Sequence, residues 1–168
     1  AGASAPLGAQ TNVSRETVRA SDAIDAPLGP IAWGTTCEGS DAILARAVEL
    51  LLAGKILAVK GLGGFHLVCD ASNPEAVALL RARKRREGKA FAVMVAGAAD
   101  ARRVCHVDKA EQGALESTKR PIVLLRKRAE VQFAAGLADN LSELGVMLPC
   151  TPVQHLLLHD FAEALRAQ

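Results

Sequence analysis

The strongest periodicity begins at Ser40. Residues 42–53, AILARAVELLLA, repeat apolar positions at three- and four-residue intervals, the period of one helix face. Ser40 or Asp41 can cap the start of that helix, and Gly54 can end it without a Cβ penalty. Residues 56–61, ILAVKG, then read as a buried strand. Residues 65–69, FHLVC, form a second strand beyond the glycine turn GLGG. Asn73-Pro74-Glu75 predicts a helix start, because the asparagine oxygen can accept an orphan N–H and proline needs none in a first turn. AVALLRARKRR continues this helix, which must end near Gly88.

The second half alternates in the same way. Residues 91–95, FAVMV, are apolar at every position, as in a strand buried on both faces. AGAADARRV predicts a helix, and Asp108 can cap another over KAEQGALES. PIVLLRK (121–127) reads as a strand opened by proline, and the stretch to Asn140 as irregular or weakly helical. GVML (145–148) is a strand, and TPVQHLLLHDFAEALRA a closing helix with Pro152 in its first turn. Strands alternating with helices predict an α/β layered domain. Residues 1–39 are rich in Ala, Gly, Ser and Pro with no sustained period, and are expected to be a flexible leader.

Composition narrows the class. A chain of 168 residues, 50% hydrophobic and 23% charged, can bury the core of one domain but not of two full ones. No apolar run reaches the ~20 residues of a membrane span, so the expectation is a soluble, cytoplasmic domain without a membrane partner. Four Phe, one Trp and no Tyr argue against a platform of stacked aromatics for single-stranded nucleic acid. Cys37, Cys69, Cys105 and Cys150 stand more than thirty residues apart, and none forms a CxxC pair. Zinc ribbons and dithiol redox motifs therefore lack support, and no metal site is expected.

The net charge of +2 hides a segregation: residues 81–128 hold fourteen Lys/Arg against five Asp/Glu, a local balance of +9. Such a stretch attracts phosphate-bearing ligands, or is simply a solvated basic helix end. Its densest part is RARKRREGKAF (81–91), where Arg81 and Arg85 are spaced to share a helix face. GLGGFH lacks the third glycine of a dinucleotide fingerprint, and neither AGKI nor EGKA completes a P-loop. The turn does let backbone N–H groups at Gly63 and Gly64 approach a ligand. Lys60, just before it, either snorkels outward or points into a cleft. Among the four histidines, His66 beside the turn is the most site-like, though a hydrogen-bonded core histidine is the commoner outcome at such a place. His155 and His159 have ligand spacing on a helix but no HExxH context.

Taken together, KGLGGFHLVCDASNPEAVALLRARKRREGKAFAVMV, KRPIVLLRK and LGVMLPCTPVQHLLL resemble the YrdC-like domain of the HypF carbamoyltransferases of [NiFe]-hydrogenase maturation. The resemblance covers about residues 40–160, and GLGGFHL followed by CD separates this branch from the tRNA-modifying one. It implies a twisted mixed sheet flanked by helices, with residues 40–168 as the YrdC-like domain and 1–39 as a leader or remnant of a zinc-finger junction. The implied activity joins carbamate, from carbamoyl phosphate, to ATP with Mg2+, giving carbamoyl-adenylate and pyrophosphate. Neighbouring domains of such enzymes then pass the carbamoyl group to HypE, toward a cyanide ligand. By position, Lys84 and Arg86 match the K-x-R pair that contacts phosphates and the carbonyl substrate. Lys60 and His66 fall on the strand-turn-strand, Lys89 on the K-P-F step, and Arg120 and Thr151 on the R-P-I-V-L and L-P-x-T-P blocks.

Departures from the family pattern are Glu87 and Ala90, which stand for prolines, and Cys150, which stands for an aromatic. The family's Ser-x-Asn element does not follow the closing helix within this sequence. The expectation is either a domain cut short or degenerate, or another segment that supplies those hydrogen bonds, with weak nucleotide binding and poor turnover by this chain on its own. The alternatives are threonylcarbamoyl-adenylate synthesis for tRNA, a non-catalytic binder of nucleotide or weakly of double-stranded RNA, and a truncated relic.

Overall fold

The computed structural model describes residues 9–12, 37–85 and 90–167, with side chains from Gly39 onward. The elements follow in the order β1 (Ala9–Asn12), α1 (Cys37–Leu52), β2 (Leu57–Lys60), β3 (Phe65–Asp70), α2 (Pro74–Lys84), β4 (Ala92–Met94), α3 (Ala98–Val104), α4 (Lys109–Glu116), β5 (Val123–Arg126), β6 (Glu143–Met147) and α5 (Pro152–Arg166). The class is mixed α/β, as expected. Its strands divide into two three-stranded sheets, ordered β1-β3-β2 and β4-β6-β5. The first is antiparallel throughout, whereas the second joins a parallel β4–β6 pair to an antiparallel β5–β6 pair.

Alternation along the strands divides the core in two. Val93 of β4 and Val146 of β6 pack with Val77 and Leu80 of α2, Phe91, Leu125 and Leu144. Their neighbours Met94 and Met147 face the other way, onto Leu44, Val48 and Leu51 of α1 and Leu157, Leu158 and Phe161 of α5. Residues 91–95 are all buried because helices cover this sheet on both faces.

Local capping chemistry places most helix ends where the residues predict. Asn73 Oδ1 accepts from Ala76 N at 2.9 Å, and Asp108 and Glu111 form a reciprocal capping box. Thr151 caps α5, and Gly54 ends α1's turn at φ +71°.

Several expectations need correction. Helix α1 begins at Cys37, ahead of Ser40 and Asp41, because a full turn of helix precedes those candidate caps. Four residues of the expected leader, Ala9–Asn12, pair with β3. Strand β2 is not buried: it lies at a sheet edge, and Ala58 and Lys60 are exposed. Strand β5 starts at Val123, two residues after Pro121, whose missing N–H cannot join a ladder, and β6 starts at Glu143, ahead of Gly145. Helix α2 stops at Lys84, not near Gly88. Arg85 takes a left-handed conformation (φ 45°, ψ 42°) and its N–H bonds to the Ala82 carbonyl. Arg85 therefore lies beyond the helix and shares no helical face with Arg81.

Candidate functional site

The β2–β3 hairpin closes through Gly61 N–H, which donates to the Gly64 carbonyl at 2.7 Å. Leu62, at the tip, is 80% exposed. The glycines of this turn have different reasons to be glycine. A Cβ at Gly61 would lie 2.8 Å from His66 Nε2 and 2.9 Å from Cε1, so the imidazole edge sits where a side chain would be. A Cβ at Gly63 or Gly64 would meet nothing within 4 Å, and neither residue has a positive φ. The chain itself does not require glycine at those two positions, and the space beside them is open to a ligand.

His66 stands on β3 with 8% of its surface exposed. It is opposite Val59 in register, while Lys60 is opposite Phe65. Neighbouring residues on a strand point to opposite faces, so the hairpin turns His66 inward and Lys60 away from it. Lys60 is exposed, with Nζ 5.0 Å from the centroid of the Phe65 ring. Of its two predicted fates, the structure shows the outward one.

Burial, and then the positive charge of Lys84, hold the His66 pKa below its ordinary value of 6.5. The ring is therefore neutral at neutral pH. Lys84, in the last turn of α2, is half-buried, and its charge is the second of the two causes that lower the His66 pKa. His66 Nδ1 is 3.1 Å from Gln154 Nε2 of α5, a contact between two buried residues. Gln154 Oε1 in turn accepts from Cys150 N–H at 2.9 Å and from Cys150 Sγ at 3.2 Å. Thr151 Oγ1 accepts from Gln154 N at 3.4 Å. The turn, His66, Lys84 and the 150–154 segment thus converge from three separate stretches of chain.

Other candidates are placed differently. Arg86 and Lys89, with Glu87 between them, lie outside the described residues. Arg120 (φ 44°) directs Nη1 to the Leu115 carbonyl at the end of α4, at 3.5 Å. No hydrogen bond among the described residues joins Arg120 to His66, Gln154 or Thr151. His155 and His159 are exposed on α5, and His159 Nδ1 contacts Asp160 at 3.1 Å. No group of three or more His, Cys, Asp or Glu among the described residues could hold a metal ion. No described helix is long and apolar enough to cross a membrane.

Gln154 was missed by sequence reasoning, although a signal for it exists. It shares an inward stripe with Leu157, Leu158 and Phe161, and an amide in an apolar stripe needs a buried partner. Asp70, the buried last residue of β3, accepts from Ser72 N at 2.8 Å and Ser72 Oγ at 2.7 Å, which turns the chain toward α2. Two open depressions of about 410 Å³ lie around Arg126 and Arg128, and neither is lined by His66, Lys84, Gln154 or the glycine turn. The turn is therefore marked by its chemistry.

Residues 49–167 match the Sua5–YciO–YrdC family, described as telomere recombination. The chain is similar to carbamoyltransferase HypF2 of Cupriavidus necator, 53% identical over 132 residues, which cover 78% of this chain and 16% of that protein. It is similar to carbamoyltransferase HypF of Rhodobacter capsulatus, 50% identical over 141 residues, covering 82% of this chain and 18% of the relative. A crystal structure of full-length HypF in a phosphate- and nucleotide-bound form superposes with a TM-score of 0.68 at 43% identity. That match covers 77% of this chain and 17% of the other. The chain thus spans less than a fifth of the length of these relatives.

Proposed function

The chain belongs to the Sua5–YciO–YrdC family, and from that membership we propose that it binds ATP and forms carbamoyl-adenylate, serving carbamoyl transfer in hydrogenase maturation. A carbamate oxygen attacks the α-phosphorus of ATP, a new P–O bond forms, and the α–β bridging bond breaks to release pyrophosphate. The acceptor further along is HypE, reached through neighbouring domains of a HypF-type enzyme. The likeness to HypF carbamoyltransferases, one of them solved with nucleotide and phosphate, supports this over the tRNA-modifying alternative. The comparisons lend no support to double-stranded RNA binding.

The observation that carries the proposal is His66. Among the described residues its Nε2 has no hydrogen-bond partner, although the side chain is buried and faces a glycine turn with open space beside it. A buried ring nitrogen without a partner is costly unless a ligand supplies one. Adenylation builds negative charge on phosphoryl oxygens, and desolvated donors aimed at that charge are worth far more than they are in water. Lys84 supplies a point charge to the same region, and Arg86 and Lys89 are assigned to the phosphates by their family positions. Thr151 holds the start of α5, and with it Gln154. Magnesium fits as a companion of the nucleotide, since Mg2+ is held largely by substrate phosphates. Its role when bound is to screen the phosphate charge.

Titration calorimetry of ATP, with pyrophosphate release measured on carbamoyl phosphate and on threonine plus bicarbonate, tests the proposal. Slow pyrophosphate release is expected with carbamoyl phosphate, which yields carbamate once water displaces its phosphate, and none with threonine plus bicarbonate. Lys84→Ala should abolish ATP binding and leave the fold intact. Unchanged ATP affinity in that variant, or turnover only with threonine, would overturn the assignment.

A further inference from the structure

Side-chain amides cannot be oriented by shape, but here the partners decide. The Cys150 backbone N–H can only donate, so the Gln154 atom 2.9 Å from it must be the carbonyl oxygen. The Cys150 thiol, 3.2 Å from the same atom, adds a second donor. The other end of Gln154 is therefore its NH2 group, which can only donate, and it lies 3.1 Å from His66 Nδ1. A ring nitrogen that accepts carries no proton. In the neutral imidazole the proton is then on Nε2.

From this chain of donors we infer that Gln154 is a positioning residue, holding His66 as the tautomer protonated at Nε2 so that His66 meets its ligand as a hydrogen-bond donor, not as a base. Gln154 is 2% exposed, and its oxygen is anchored to the backbone at Cys150, so the amide is not free to flip. The donor edge of the ring lies over Gly61, in the turn where Gly63 and Gly64 leave open space at their own Cβ positions. The matching ligand atom is an oxygen with lone pairs and negative charge, from a phosphoryl or carboxylate group. The inference deepens the proposed adenylation and rests on it for the identity of that oxygen. It assigns His66 to charge stabilisation and leaves proton removal to no residue of this cluster. Among the described residues, the charge of Lys84 acts on His66 and the Cys150 thiol lies against Gln154, and neither offers Nδ1 a competing acceptor.

The test uses the full chain with 15N-labelled histidine. Long-range 15N–1H correlation spectra should show the Nε2-protonated pattern for His66. Gln154→Glu keeps an oxygen for the Cys150 N–H but places a second oxygen against Nδ1, so the neutral ring should switch to the Nδ1-protonated pattern. At alkaline pH, where the ring is neutral in both proteins, the variant should lose about a hundredfold in kcat for pyrophosphate release, the usual worth of one aimed donor. KM for ATP should move far less. An Nδ1-protonated or mixed ring in the wild-type protein overturns the inference, as does full turnover in a variant whose ring has switched. If neither protein releases pyrophosphate, the adenylation proposal fails, and the spectra still decide the tautomer.

Discussion

Arg81 Nε donates to the carbonyl of Gly136 at 2.9 Å, across 55 positions of chain, and Nη2 donates to the same oxygen. The guanidinium carbon also sits 4.6 Å from the centroid of the Phe91 ring. The first cation of the basic run is therefore a tie between α2 and the irregular segment before β6. Lys84, one turn later, belongs with His66. Arg81→Met should leave the Gly136 carbonyl without these donors and cost about 1–3 kcal/mol in urea denaturation. ATP affinity should not change. A loss of nucleotide binding at unchanged stability would mean that Arg81 serves the ligand instead.

The glycine turn makes a contrasting pair of predictions. Gly61→Ala must push the His66 ring aside and break its contact with Gln154, a clash worth about 1–3 kcal/mol. Gly63→Ala meets no protein atom, so thermal stability should hold while the new methyl enters the space assigned to the nucleotide. Thermal melts with and without ATP separate the two. An ATP-induced shift of normal size in Gly63→Ala would show that the ligand does not approach there.

Acidification should destabilise the fold through His66. Its folded-state pKa is lowered, chiefly by burial, so the unfolded chain takes up the proton first as pH falls below 6.5. Stability from this group is complete above that pH and is lost as pH drops through the folded-state pKa. Urea melts across this range should show a steeper loss for the wild-type chain than for His66→Gln. Parallel curves would mean that the ring is charged in the fold or exposed.

The described cysteines should differ in reactivity. Burial, reinforced by the charge of Asp70, pushes the Cys69 thiol up to about 12. Burial raises Cys105 to about 11, against the opposing charges of Lys127 and Arg128. Both thiols are buried, whereas Cys150 is half-buried at the site. Since the thiolate is the reactive form, iodoacetamide should label Cys150 in the native chain and reach Cys69 and Cys105 only in urea. Peptide mapping by mass spectrometry follows each position. Native labelling of Cys69 would contradict its burial.

Much of the framework was legible from neighbouring residues. The cap at Asn73, the box at Asp108 and Glu111, and the start of α5 at Thr151-Pro152 depend on atoms three or four positions apart. The end of α2 was not legible, because Arg85 adopts a left-handed turn that residue propensity assigns to glycine or asparagine. The pairing of Ala9–Asn12 with β3 escaped notice for another reason: four residues carry too little period to announce a strand. At the site, His66 and the glycines could be singled out from sequence, but Gln154 could not be linked to them. Nothing local connects positions 66 and 154.

By itself, the sequence determined the order of helices and strands from α1 onward, the buried β4 strand, the basic run and the family, since periodicity, caps and motifs are written in adjacent residues. Tertiary structure decided what each charged or polar group does. It separated Arg81 from Lys84 along one helix, turned Lys60 and His66 to opposite faces of one hairpin, and set Gln154 against His66 with its amide oriented by Cys150. The physical reason is that proton position and burial depend on neighbours in space, and those come from stretches of chain far apart in order.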